Sequence, residues 1–389
     1  MTETTALEGL RVLELSGLSG AYCGKMFAGL GAQVTLIEPS GGSDLRRKAP
    51  VGKGLPPTEA SLSFAYLAAD KHSVVLDLAS AEGRAEFSKR AADVDLLILA
   101  DHPDARSLDL AALRHANPQL VITQITPYGA SGPYADYLGD DLTLMAMGGL
   151  LTMAGTPDAA PVVAYGEQGL LAADQFAAVA SLAAILDAEV TGVGDLIDVS
   201  IQEAIVMALE NAAQTYQLEG KVRNRTKGAA RAGSGIFPCK DGEIYLLAGG
   251  IGETAMWSNF AAWLESDGID GAHLFAADDW VDTAPDAKAV FERIFLSYAA
   301  SRTKDELYAK GKEWRVPIAP MSTPADLLEN RQLIYRGFFT APENAQGPDA
   351  IRMPGAPYKL SRTPWRLRNS APALNDHAPG KANCAETVR

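Results

Sequence analysis

Basic residues gather beside the first apolar runs of the chain. Arg46-Arg47-Lys48 follow the run Gln33–Ile37 and a Gly-Gly-Ser-Asp turn, Lys71-His72 precede Ser73–Leu78, and Arg106 follows Asp95–Leu99. On a chain whose formal net charge is −14, such clusters in strand-flanking loops suit the capture of a phosphorylated ligand. Ordinary solvated surface charge is the alternative. Gly17, Gly20 and Glu38 imitate a dinucleotide fingerprint, in which an acid grips the ribose hydroxyls. Ser19 stands where the close-approach glycine would be, so an NAD-dependent enzyme is a remote alternative and a glycine-requiring turn the plainer reading. Gly20-x-x-x-Gly24-Lys25-Met26 approaches a phosphate loop but is one residue short and lacks the magnesium-binding Ser or Thr. Lys25 therefore reads as a solvated helix residue. Gly-x-Ser-x-Gly is absent, and His102, His115 and His377 lack sequence partners for a triad. They read as surface or loop histidines. With no CxxC or HExxH, no metal is expected.

The elements that must position these residues alternate in type. Arg11–Leu15, Gln33–Ile37, Ser73–Leu78, Asp95–Leu99 and Leu120–Ile125 read as strands, with helices at Ala21–Leu30 and Ala81–Ala92 between them. That alternation predicts βαβ units and a parallel sheet with its ligand at the carboxyl ends of the strands. A long helix from about Gly166 to Glu189 follows, then a strand Ile197–Ser200 and a second long helix Ile201–Glu219. Residues 220–235 read as a linker, Asp241-Gly242 as a hairpin turn, and the Pro-rich tail from Ala341 as a segment draped over a folded surface. The resulting expectation is a large α/β domain from residues 1–219 and 335–389 and a small α+β domain at 236–334.

Composition narrows the function classes. An acidic chain with 34 Lys plus Arg against 48 Asp plus Glu lacks the basic character of a nucleic-acid binder. Cys23, Cys239 and Cys384 are few and far apart, which fits a reducing cytoplasm rather than a disulfide framework. No signal peptide or membrane helix is expected from the N-terminus or from the uncharged stretch His115–Ala135.

The words of the sequence resemble those of the class III CoA-transferases, the family of formyl-CoA transferase, carnitine CoA-transferase and α-methylacyl-CoA racemase. Leu7-Glu8-Gly9-Leu10-Arg11-Val12-Leu13-Glu14-Leu15 is similar to the family's opening, followed by Leu30-Gly31-Ala32-Gln33-Val34, Ile37-Glu38-Pro39 and Gly42-x-Asp44-x-x-Arg47. The likeness continues through Asp70-Lys71-His72-Ser73, Tyr128-Gly129-x-x-Gly132-Pro133-Tyr134, Thr191-Gly192-x-Gly194, Asp198-Val199-Ser200-Ile201-Gln202-Glu203-Ala204 and Thr363-Pro364-Trp365. The resemblance implies a Rossmann-like large domain, a smaller domain, and two chains interlinked like rings. It implies CoA or acyl-CoA as substrate together with a small carboxylic acid. The implied CoA-binding residues are Leu18, Ser19, Arg47, Lys71, Ala100 and Arg106.

In the transferases an aspartate attacks the thioester and forms a mixed anhydride. In this chain the corresponding slot, counted back from Thr191, holds Leu170. Asp174 lies four residues on and Glu167 three residues before, and Asp140 stands where the racemase histidine would be. The candidate catalytic residue is therefore Asp174. Three readings stay open: a subunit whose paralogous partner carries the aspartate, a homo-oligomeric transferase using Asp174 or Glu167 after a helix shift, and a CoA-binding protein without transfer activity or one catalysing isomerisation, with Asp174, or hydration.

Overall fold

The computed structural model describes residues 4–52, 59–100, 102, 104–225, 232–249, 254–277, 279–345 and 350–377. Asp101, Cys384 and residues 226–231 of the expected linker lie outside them. The chain forms two compact units, one from 1–152, 163–222 and 332–389, the other from 153–162 and 223–331. Relative to the sequence expectation, residues 153–162 belong with the second unit, and Ser234 and Gly235, expected in the linker, begin a strand.

The first unit carries β1 (Arg11–Leu15), α1 (Ala21–Gly29), β2 (Gln33–Glu38), α2 (Leu62–Leu67), β3 (Lys71–Val75), α3 (Ala81–Ala91), β4 (Leu96–Ala100), α4 (Leu110–Ala116) and β5 (Val121–Thr126). After them come α5 (Asp141–Met147), α6 (Leu150–Met153), α7 (Gln168–Thr191), β6 (Leu196–Ser200), α8 (Ile201–Met207) and α9 (Ala212–Glu219). The six strands are parallel, in the order β3-β2-β1-β4-β5-β6. The order reverses between β1 and β4, and in such sheets the crevice outside the carboxyl ends at the reversal takes the ligand. Period-two alternation sends Val12, Ile98 and Val121 to the face covered by α1 and α7, and Leu13, Leu97 and Ile122 to the face holding Phe87 of α3 and Leu113 of α4. Both faces are covered, so apolar residues dominate the central strands, and β4 is apolar and buried throughout.

By length and apolarity α7 resembles a membrane span, but Leu170, Ala173, Ala177 and Ala178 sit in the sheet-covering core and make it a core helix. It stops at Gly192, whose φ of 78° is a conformation glycine adopts without strain. The expected second long helix is two short ones. Glu210 takes a left-handed φ of 50° between α8 and α9, which breaks the hydrogen-bond ladder.

The second unit is an antiparallel sheet β7 (Ser234–Cys239), β8 (Gly242–Leu247) and β9 (Ile318–Pro320) with α10 (Thr254–Ser266), α11 (Trp280–Thr283), α12 (Ala287–Ala299), α13 (Lys304–Trp314) and α14 (Pro324–Glu329). Trp257, Phe260, Phe275, Phe291 and Phe295 form its core. Asp267 anchors the rim, accepting from Tyr298 Oη at 2.6 Å and Lys310 Nζ at 2.8 Å.

The returning tail has a definite task in the first unit. β3 is an edge strand, and the tail occupies its free side: the Val75 amide donates to Asn375 Oδ1 at 2.9 Å, and the His377 amide donates to the Ser73 carbonyl at 3.1 Å. Asp70, at the entry to β3, accepts from the backbone amides of Arg368 at 3.0 Å and Asn369 at 2.7 Å. Asp70→Ala should free this strap at a cost of about 1–3 kcal/mol, the usual loss when buried amides lose their acceptor. Amide exchange at residues 368–377 should quicken accordingly; unchanged exchange there would refute the tethering role.

Candidate functional site

The site is built where the turn after β1 meets α1. The amides of a helix's first turn have no partner within the helix, and Gly20, which precedes α1, has no side chain to cap them. Gly20 has φ 87°, and a Cβ there would lie 2.8 Å from the Ala100 Cβ, so the turn packs onto the end of β4 only as glycine. Asp174 on α7 supplies the missing acceptor. Its Oδ1 takes the Gly20 amide at 2.8 Å and its Oδ2 the Tyr22 amide at 2.9 Å, with the Cys23 amide adding a third donor. Burial raises the Asp174 pKa to about 7 against the pull of these amides. Burial, followed by Asp174 and Glu14, also pushes the Cys23 thiol well up, leaving it an unreactive core residue.

Beneath this turn lies a buried ion pair. Lys71 Nζ donates to Glu14 Oε1 at 2.8 Å and to the Ala21 carbonyl at 2.8 Å, and Ser16 Oγ donates to the same Glu14 oxygen at 2.7 Å. Gly24 makes room for it, since a Cβ there would stand 1.8 Å from Glu14 Oε2.

The other carboxylates near the expected nucleophile slot are likewise engaged. Leu170 is buried in the first turn of α7, and its amide donates to Asp141 Oδ1 at 3.1 Å. Asp141 thereby caps α7, and burial, the largest influence on it, raises its pKa. Asp140 caps α5 through the Thr143 amide at 2.8 Å. Glu167 pairs with Lys48 at 2.7 Å.

The expected phosphate-binding residues differ in exposure. Arg47 is exposed and holds the Gly41 carbonyl at 2.8 Å and Asp44 at 2.5 Å. Arg106 is exposed beside Asp136 at 3.3 Å. Lys71 starts β3, at the opposite end from the carboxyl rim, with its amine buried. Leu18 is half-buried, while Ser19 and Ala100 are buried at the ends of β1 and β4. Arg46 is wholly buried in a bidentate pair with Glu38, Nε to Oε2 at 2.6 Å and Nη2 to Oε1 at 2.7 Å. Burial opposes ionisation of Glu38, but Arg46, the Ser43 amide and the Ser73 hydroxyl outweigh it and hold the pKa below its ordinary value. With both oxygens of Glu38 taken, the acid of the dinucleotide fingerprint has nothing to offer a ribose.

One reading of a single residue is corrected. Lys25 is not solvated; it is 4% exposed, because α1 packs under the tail and α2. His102 lies in the loop after β4 with its side chain buried. Its Nδ1 accepts the Asp104 amide at 3.2 Å, so the neutral ring carries its proton on Nε2. That buried Nε2, Ser19 Oγ after β1 and Thr126 Oγ1 at the end of β5 find no hydrogen-bond partner among the described residues. They lie at the carboxyl sides of β1, β4 and β5, adjacent strands at the sheet's reversal. Sequence reasoning missed His102 and Thr126, since neither belongs to a recognisable spacing.

Comparison with known proteins now bears on this geometry. The sequence profile of CoA-transferase family III matches residues 7–378. The chain belongs to CoA-transferase family III. Among curated family III CoA-transferases, the succinyl-CoA:(R)-benzylsuccinate CoA-transferase subunit BbsE of Thauera aromatica is 39% identical over 94% of this chain and 91% of its own. The succinyl-CoA–L-malate CoA-transferase alpha subunit of Chloroflexus aurantiacus is 32% identical over 96% of this chain and 87% of its own. In structure, a CAIB/BAIF family protein from Brucella suis superposes with a TM-score of 0.83 at 25% identity, covering 96% of this chain and 97% of that one.

Two stability measurements check this family III site. Asp174→Ala should cost the first unit about 1–3 kcal/mol, a buried cap lost with its amides left unsatisfied. Because the folded-state pKa of Asp174 is raised from 3.8 to about 7, its contribution is full below about pH 4 and is lost as pH rises through 7. The thermal midpoint of the native chain should therefore fall more between those pH values than that of Asp174→Asn; parallel curves would refute the assignment. Gly24→Ala should lower the midpoint, although alanine ordinarily favours a helix over glycine by about 1 kcal/mol, because the ion pair must shift.

Proposed function

We propose that this chain is one subunit of a hetero-oligomeric CoA-transferase, and that a paralogous partner chain supplies the nucleophilic aspartate. The observation that carries this is Leu170 in the nucleophile slot, with every nearby carboxylate already engaged: Asp174 on α1, Asp141 on α7, Asp140 on α5 and Glu167 on Lys48. A displacement of even about 1 Å can cost about 100-fold in rate, and Asp174 could reach a thioester only by releasing the start of α1. Two relatives are themselves named as subunits.

On this reading the first unit is a Rossmann-like CoA-binding domain. CoA lies at the carboxyl ends of β1, β4 and β5, bordered by Leu18, Ser19 and Ala100, where His102 Nε2 donates to it. Arg47 and Arg106 meet its phosphates, and charge-assisted pairing of guanidinium with phosphate is strong. Lys71 positions the turn from below instead of touching the ligand. The partner's aspartate attacks the thioester carbonyl of an acyl-CoA, succinyl-CoA by analogy with the relatives' names. A C–O bond forms, the C–S bond breaks, CoA leaves as thiolate, and a free carboxylic acid is the eventual acceptor.

A face for the partner is present on α7. Phe176, Val179, Leu186 and Val190 are 48%, 67%, 56% and 87% exposed, and with exposed Ala183 they repeat at alternating spacings of three and four residues. That is the seam of a packed helix pair, left bare in one chain. An interlinked family III dimer, with the paralogue or with a second copy, is the occupant we propose.

The chain alone, incubated with succinyl-CoA and free acids, should yield no new acyl-CoA. Co-expression with a paralogue bearing aspartate in the slot should give turnover, and hydroxylamine should trap the acyl group on the partner. Asp174→Asn in the complex should keep turnover within about tenfold. A hydroxamate at Asp174 in the chain alone would overturn the subunit reading in favour of a shifted nucleophile. Val179→Glu with Leu186→Glu should shift the assembly towards the 41.1 kDa monomer in light scattering, with the helical signal unchanged.

A further inference from the structure

Lys25 borders a cavity that the transfer reaction as derived above does not use. The cavity is about 260 Å³ and is walled by α1, α2, Gln175 of α7 and the segment 354–365, all within the first unit. Its construction is specific. Trp365 lies directly on α1 at Gly29, where a Cβ would come within 1.7 Å of the indole nitrogen. Tyr22 and Tyr66 stack with ring centroids 6.4 Å apart, and their hydroxyls interact with each other. Tyr358 completes the phenolic side close enough to be influenced by Tyr22.

Into this space comes a single buried ammonium. Lys25 Nζ lies 4.3 Å from the Tyr66 ring centre and 5.7 Å from that of Trp365. No carboxylate pairs with it among the described residues, unlike Lys71 and Arg46, which are equally buried and fully paired. Asp70 attracts it from a distance and Lys71 repels it, but the Asp70 oxygens are taken by the tail amides. A buried cation held only by aromatic faces lacks the anion that would offset its desolvation.

We propose that this cavity is a binding site for a small organic carboxylic acid, its carboxylate on Lys25 and the phenols, its hydrocarbon body against Trp365 and the tyrosine rings. The volume lies below the roughly 300 Å³ at which pockets for drug-sized ligands begin, so the acid is small. The apolar walls favour an acid with a hydrocarbon or aryl body over an inorganic anion. This inference does not rest on the transferase reading.

The charge of Lys25 adds a pH signature. Burial and then Lys71 depress its pKa to about 8; the anion binds the ammonium form, so affinity is full below that value and lost above it. Tyr22, Tyr66, Tyr358, Asp70 and Lys71 are the other titratable groups facing it, and burial raises the pKa of Tyr66, so that phenol stays neutral in this range.

The test is calorimetric titration of the full chain with phenylacetate, with benzyl alcohol and inorganic phosphate as controls. Trp365 is the first unit's own tryptophan, the other four lying in residues 223–331, so its emission reports binding in parallel. Phenylacetate should bind, Lys25→Met should weaken it at least about tenfold, Lys25→Arg should retain it, and affinity should fall from pH 7 to pH 9. Equal binding of Lys25→Met, equal affinity for benzyl alcohol or phosphate, or no binding would each overturn the proposal. If Lys25→Met melts early, Lys25→Arg decides: retained binding supports the site and lost binding refutes it.

Discussion

Backbone amides at a buried helix start must find an acceptor, and in this chain the acceptors come from far away in sequence. Asp174, on α7, serves the amides of Gly20 and Tyr22 at the start of α1. Asp141 serves Leu170 at the start of α7. Each carboxylate thus ties one helix to the next, and the turn after β1 is held at the point where the sheet reverses its order. An aspartate so engaged is a poor nucleophile, since its lone pairs are committed and its departure would leave amides bare. On the proposed subunit reading, the same constraint that fixes the architecture also keeps Asp174 away from the thioester.

The buried cations show how the first unit tolerates charge. Arg46 has both Glu38 oxygens and stacks on Phe64 at 4.0 Å. Lys71 has Glu14 and a carbonyl. In each case carboxylate and cation are matched and further hydrogen bonds complete the shell, the condition under which a buried pair is sustainable. Lys25 is the exception, with π faces in place of a carboxylate.

Much of the sheet was legible in the sequence because strand periodicity is local. The run Arg11–Leu15 is β1 to the residue, and Gln33–Ile37 falls one residue short of β2. The α8–α9 break was not legible, because a left-handed Glu210 is a decision of the packing and not of helix propensity. Fates of charged residues were also hidden. Glu14 looks like a polar interruption in RVLEL, and only the fold reveals that Lys71, 57 residues later, arrives to meet it. Likewise Gly24 looks like half of a phosphate loop, whereas its lack of a Cβ makes room for that pair. At the site, the turn after β1 could be located from glycine spacing, but His102 and Thr126 became visible only as buried polar atoms at adjacent strand ends.

The strap on β3 has a consequence for synthesis. Residues 368–377 close the free edge of a sheet whose other strands are finished by Ser200. On the ribosome, the first unit therefore waits through the whole second unit with one edge bare. An unpaired edge is a template for another strand, and domains generally fold in the order they emerge. This chain reverses that order for one step: the sheet begun first is sealed only after the second unit has emerged. During that interval the opening is available to chaperones, and a nascent neighbour has its best opportunity to associate before the tail locks down.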